Sequence, residues 1–521
     1  MNKLKNCRLR IFSSLLAFAM LPGLFAGCGN QQETGTQGTT PPATAANSPG
    51  TGSSGEQISF TYFVQFSSPI IQTLAENDVY QELEKRTNVK IEFIHPSGDA
   101  GQALQLLLAS QDIPDIIEGA ARSYPGGPDK AISDGVYLRL NELIEQYAPN
   151  FKALRESNPE IARQTIADSG NIWAFSTIQT MDEPPWTGLR IRKDWLDELS
   201  LEVPTTVDEL HTVLKAFKDI KNVESPLLWW DSWMDEYGIV IGAWDIGNSF
   251  YQVDGQVLFA PLQPAYKDYI ETMRTWYNEG LLDKEFATRN EDGRQTLIAN
   301  GKAGVYIDAS DPEVKKNTVA VPYVTLEKGA KRHFNLVNPY NKGGDTVITT
   351  ACKYPEEAVK WFDYHYSDEA ILLFNYGIEG KSYTLVDGQP QFTELMLKSD
   401  KGYSATDLAW VYKLHGGPYK RDFMAFPGMD PKFIDDMKVW GDSVDGSYVL
   451  PSLTLNSEEG TENSEIMNEI NTFIKETTLK FIMGIESMDK YDAFVEQIKK
   501  MNIQRAVEIQ QNAFERYNSR D

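Results

Sequence analysis

Cysteine is almost missing from this chain: three copies in 521 residues, at Cys7, Cys28 and Cys352. That excludes a disulfide framework, so stability has to come from a packed core. Histidine is nearly as scarce, and its five copies (His95, His211, His333, His365, His415) show no spacing that suits a metal. Positive charge is in deficit as well, since 49 lysines and arginines face 74 acidic residues, a net of −25. Such a balance disfavours nucleic acid and makes a strongly polyanionic ligand a poor partner. Common catalytic signatures are lacking too. There is no Gly-x-Ser-x-Gly elbow, no His-Glu-x-x-His and no phosphate-binding glycine loop.

What is present begins at the N-terminus. A basic start (Lys3, Lys5, Arg8, Arg10) leads into an apolar run, Ile11 to Leu24, and then small residues ending at Cys28. This is the layout of a secretory signal over residues 1–27, and the run is too short for a comfortable membrane span. The ending is similar to a bacterial lipobox: Ala26, Gly27 and Cys28 fit it, while Phe25 stands where Leu is usual. Cys28 is therefore expected to be diacylated and to become the mature N-terminus. Residues 28–57 are nearly all Gly, Ser, Thr, Ala, Pro and Gln, a flexible leash with a reach of roughly 30 Å. The expected address is the extracellular face of the cell membrane, held by lipid. Loss of the signal removes four cations and takes the net charge to −29. Cys352 then remains alone, expected to be buried in a strand and not a nucleophile.

The body opens with a β-forming run from Ile58 to Phe66, followed by a helical segment from Asp78 to Arg86. Val89 to Phe93 alternates as a strand should, Leu104, Leu107 and Leu108 mark a helix stripe, and Pro114 to Glu118 reads as a short buried strand. This rhythm predicts an α/β fold with a mostly parallel sheet, in which ligands sit beyond the carboxyl ends of the strands. Further on, Thr206 and Glu209 predict a capping box ahead of Leu210, Val213, Leu214 and Phe217. Helices are also expected over 265–279, from Pro355, and over 466–474, 491–500 and 503–517.

Residues 188–210 (GLRIRKDWLDELSLEVPTTVDEL) resemble a signature of the extracellular solute-binding lipoproteins of carbohydrate ABC importers, in the family 1, LplA-like branch. Three further blocks agree in order: 107–117 (LLASQDIPDII), 298–306 (IANGKAGVY) and 374–380 (FNYGIEG). The resemblance implies a type II periplasmic-binding-protein-like fold, two α/β lobes joined by hinge strands with the ligand cleft between them. By that analogy lobe 1 takes 58–137 and 341–395, and lobe 2 takes 138–340 and 396–521. It also implies a monomer that delivers an oligosaccharide to ABC permease subunits, without a cofactor. Many members carry an Asp/Asn/Gly-rich loop similar to a calcium site where this chain reads Lys218 to Pro226. The alternating oxygen ligands and tight-turn Gly are missing here, so no metal is expected.

Sugar sites pair aromatic platforms with carboxylates, amides and Arg. Trp229, Trp230, Asp231 and Trp233 have that composition, with Trp244 close behind; the other reading is that these rings plug a core. Trp186, in a Pro-stiffened loop, is a similar candidate. Arg190 shares a strand face with Arg192 and either donates to ligand or forms a salt bridge, whereas Trp195 is expected to pack within its lobe. At the strand ends of the first lobe, Gln65, Ser67, Glu118 and Arg122 are placed to reach the cleft. Asp308, Tyr376 and Glu379 complete the list, each with a structural role as the alternative.

Two other functions fit the composition. A tethered glycoside hydrolase needs two carboxylates at a set separation, and 74 acidic residues supply such pairs by chance. The same receptor fold with a peptide ligand would show charged groups for the termini and an exposed strand edge, which the Trp cluster does not favour.

Overall fold

The computed structural model describes residues 57–229, 238–307, 316–414, 416–427, 429 and 431–520. Cys28, the leader and the leash lie outside the described residues, as do Trp230, Asp231, Trp233, Asp308 and His415. Residues 57–521 form one compact unit.

Its first sheet is built from β1 (Ile58–Phe63), β2 (Val89–Ile94) and β3 (Ile116–Glu118). β1 pairs in parallel with β2, Ile58 opposite Val89, and with β3, Tyr62 opposite Ile116. The strand Thr346–Ile348 closes the far edge antiparallel, Thr346 opposite Glu118. The predicted rhythm is therefore present, though β1 ends at Phe63 and not Phe66. Helix Asp78–Thr87 buries Val79, Tyr80 and Leu83, and its N-cap Asn77 accepts from the amides of Val79 and Tyr80.

The second sheet runs in the order Thr318–Ala320, Leu189–Arg192, Ala303–Ile307, Ser225–Leu228. Its first two pairings are antiparallel and the last is parallel. Helix Val207–Asp219 starts where expected, with Thr206 Oγ1 accepting from the Glu209 amide at 3.1 Å. The reciprocal bond is shifted by one residue: the Glu209 carboxylate takes the amide and hydroxyl of Thr205, each at 2.8 Å. Helix Pro264–Asn278 buries Tyr266, Tyr269, Ile270, Met273 and Trp276, and Gly280, at φ +68°, lets the chain turn away. The expected 466–474 helix is longer, Ser457–Ile482, because its polar first turns are held by a capping box between Asn456 and Glu459. Cys352 is buried in the turn after Ile348, outside any strand, and burial pushes its thiol up to about 11.

Two large hydrophobic cores result. One joins Phe60, Tyr62 and Ile116 to Leu140, Phe151, Phe175, Phe362, Phe374 and Tyr419. The other joins Leu189, Leu214, Trp229, Tyr269 and Val305 to Trp440, Phe481, Ile503 and Ala506. Residues 140–178, expected in the second lobe, pack in the first core, because the helices Asn141–Tyr147 and Pro149–Glu156 lie against helix Pro355–Tyr364. Leu414 and Tyr419 belong to that core as well, so its returning segment extends past 395.

Three segments cross between the cores at one place. Ile178–Gln179 pairs in parallel with Lys420–Arg421, and the Gln179 amide donates to the Tyr340 carbonyl at 2.8 Å. Glu183 then ties all three, meeting Lys342 at 2.8 Å and Arg421 at 3.0 Å.

Candidate functional site

The carboxyl ends of β1 and β3 supply the site. Gln65 leaves β1 exposed and donates to the Gly98 carbonyl at 3.1 Å; Ser67 is exposed on the same loop, while Phe66 between them packs on His95 and Trp410. Glu118 ends β3 with its carboxyl almost wholly buried. Tyr62 donates its hydroxyl to it at 2.6 Å and the Gly417 amide donates too, no cation among the described residues pairs with it, and burial pushes its pKa up to about 7. A cavity of about 340 Å³ covers this corner, lined by Gln65, Asp99, Glu118 and Ser123 among others.

The next residue, Gly119, takes φ +72° and gives its amide to Asp345, turning the chain into a short helical turn that carries Arg122. Arg122 pairs with Asp345 and lies with its guanidinium 5.2 Å from the Trp173 ring centroid. It lines a second cavity of about 300 Å³ with Gln164, Trp173, Asn341, Ser452 and Arg520. Arg122 and Ser123 are consecutive, so both cavities border the same turn after β3. Together their walls offer carboxylate, amide, hydroxyl and guanidinium groups, the donor and acceptor set that a polyhydroxylated chain requires.

Of the expected site residues, the structure brings Gln65, Glu118 and Arg122 onto this groove, and Ser67 onto its rim loop. Trp186 is half-buried in the crossing segment beside the buried Pro185. Others lie elsewhere. Trp229 is in the second core between Tyr269 and Phe286, with ring centroids 6.4 and 6.0 Å away, so the plugging reading holds for it. Arg190 has no exposed surface; its strand is internal to the second sheet, and its guanidinium pairs with Asp436 and donates to Thr318 Oγ1 at 3.0 Å. An ion pair is therefore realised, but inside the protein and not to the acidic surface as expected. Tyr376 is buried against Tyr383 and Phe392 and donates to Asp422 at 2.9 Å, and Glu379 is exposed beyond it; neither lines the groove. Trp195 packs within its core under the Arg192 guanidinium, 4.1 Å from the ring centroid.

Asp99, Ser123, Gln164, Trp173, Asn341, Ser452 and Arg520 were not foreseen. They come from six separate stretches of chain, and none sits in a motif of its own. Between Lys218 and Pro226, Glu224 is held by Lys302 at 2.7 Å and Lys221 pairs with Glu198. Among the described residues no group of His, Cys, Asp and Glu is arranged to hold a metal ion. A larger surface groove, about 510 Å³, lies between helices Val207–Asp219 and Pro264–Asn278. Trp276 on its floor is buried and covered by His211, ring planes 2° apart, so it presents no open aromatic face.

Residues 68–371 match the family model of the bacterial extracellular solute-binding proteins. The chain is 25% identical over 498 residues to the fructooligosaccharide ABC transporter substrate-binding protein FusA of Streptococcus pneumoniae, covering 87% of this chain and 90% of that one. It is 22% identical over 543 residues to the polygalacturonan/rhamnogalacturonan-binding protein YtcQ of Bacillus subtilis, covering 97% and 98%. Among solved structures, the alginate-binding protein AlgQ2 aligns with a TM-score of 0.67 at 25% identity, over 88% of this chain and 98% of that one. FusA in complex with kestose aligns at 0.72 with 21% identity, over 89% and 100%. Fold and family are those of a bilobed solute-binding protein and not of an enzyme. The chain belongs to the bacterial extracellular solute-binding proteins.

Proposed function

We propose that this chain is a lipid-anchored receptor, of the LplA-like branch, that captures an oligosaccharide and delivers it to the permease of an ABC importer. No bond is made or broken. The observation that carries this reading is the groove bordering the turn after β3, whose two cavities of about 340 and 300 Å³ offer both donors and acceptors. Relatives that bind fructooligosaccharides and pectic polymers support it. The lobes are assigned from the cores: 58–179 with 340–425, and 180–339 with 426–520. Closure about the crossing segments tied by Glu183 would wrap the ligand, and the closed form is what a permease would select. Cys28 supplies the anchor and the following leash the reach.

A thermal-shift screen of residues 57–521 against plant and microbial oligosaccharides, with peptides as controls, tests the reading. A ligand at a hundred times its dissociation constant adds about 2.7 kcal/mol and raises the melting temperature. Stabilisation by one glycan class, with the glycan recovered intact, is expected. Cleaved glycan would make the protein an enzyme, and a response to peptides alone would replace the sugar.

A further inference from the structure

We infer that the groove selects uncharged oligosaccharides and rejects uronate-bearing ones, because the two cations lining it are matched by carboxylates of the chain while two of its carboxylates face no cation. This rests on the receptor reading above and names the class of its ligand.

The charges follow from the contacts. Arg122 is paired with Asp345, which is itself buried and also accepts from Ser176 Oγ. Arg520 is nearly wholly buried and donates through Nε to Asp168 at 2.8 Å and through Nη1 to the Arg163 carbonyl at 2.9 Å. Asp168 serves Arg516 as well, at 2.7 Å, and Arg516 is balanced a second time by Glu459 at 2.6 Å. On the other side of the account stand Asp99 and Glu118. Asp99 accepts the Gln102 amide at 2.8 Å as a helix N-cap, and Glu118 accepts from Tyr62; neither has an ion-pair partner among the described residues.

A uronate entering this groove would lose water and meet, among the described residues that line it, only guanidiniums already paired with a carboxylate, with Asp99 close by as a like charge. A neutral sugar hydroxyl meets no such cost. It donates to the two carboxylates and accepts from Arg122, Gln164 or Asn341, all of which line the cavities.

Isothermal titration of the full-length protein in detergent, at physiological salt, tests the inference with matched pairs. Each oligogalacturonide is compared with its carboxyl-reduced counterpart, which has the same linkage and length, and fructo-, xylo- and gluco-oligosaccharides extend the neutral set. The expected result is binding within the neutral set and at least tenfold weaker binding of every uronate than of its reduced partner. The Asp99→Asn variant keeps an N-capping side chain and is expected to narrow the gap about threefold. Equal or tighter binding of the uronates would overturn the inference and leave the receptor reading standing. Failure of every glycan in both sets would overturn both.

Discussion

Asp168 accepts the Nε and Nη2 protons of Arg520 on one carboxylate oxygen, at 2.8 and 2.5 Å, while its other oxygen takes Arg516. Asp168 follows Ala167, which is buried in a smaller cluster with Phe63, Ile117 and Val347, and helix Ile503–Asn518 enters the second core through Ile503 and Ala506, so this contact links the first sheet's packing to the second core. Asp168→Asn leaves the buried Arg520 guanidinium without its anion, while Arg516 keeps Glu459. The expected loss is about 2 kcal/mol in chemical denaturation, with faster hydrogen exchange over the last turns of the chain.

Arg190 and Asp436 form a pair with almost no access to water. Asp436→Asn strands a buried guanidinium and is expected to cost about 3 kcal/mol, whereas Arg190→Met with Asp436→Leu should recover most of that loss. Glycan affinity of the double variant, measured by titration, is expected to stay within twofold of the parent. A tenfold drop would return Arg190 to the ligand.

Trp229 is held by Tyr269 and Phe286, and its indole nitrogen has no hydrogen-bond partner among the described residues. Trp229→Ala opens a core cavity and is expected to cost about 4 kcal/mol, and Trp229→Phe less than half of that. Urea midpoints of the two variants check the order. A stable Trp229→Ala protein with weakened glycan binding would restore its platform role.

Glu118 holds its proton more tightly in the folded chain, at about 7, than at the ordinary 4.5. Below pH 4.5 it is protonated folded or unfolded and has no effect. As pH rises from 4.5 to 7 the unfolded chain releases the proton first, so stability falls, by up to about 3 kcal/mol in all. Buried His365, depressed from 6.5 to about 3, works in the opposite sense: stability is lost as pH falls through 6.5 towards 3. The variant difference separates them. Glu118→Gln minus parent is expected to grow more favourable from pH 4.5 to 8, read from denaturation curves at each pH.

Elements dominated by short-range rules were legible in advance. β1, helix Val207–Asp219 and helix Pro264–Asn278 declare themselves through alternation, a cap or a 3.6-residue stripe, and each is found within a few residues of its expected bounds. The places of Glu118 and Arg122 in the fold were legible too, since the short buried run Pro114 to Glu118 announces where β3 ends. Trp229 and Arg190 were not resolved, because a Trp or an Arg in a strand reads the same whether its neighbour is a sugar or another side chain. That residues 140–178 pack with Phe60 and Phe362 was not legible, because helix amphipathicity shows that a face is buried, not against what. Asn341, Ser452 and Arg520 reach the groove from distant parts of the chain, and nothing local marks them.

The first core needs Phe374 and Tyr419 as well as Phe60, and the second needs Ile503 and Ala506 as well as Leu189. Neither can therefore close on a growing chain before those distant segments have been made. Long-range wiring of this kind slows folding, usually a liability while hydrophobic segments wait uncovered. For a bacterial extracellular protein the same delay keeps the chain threadable until those segments follow.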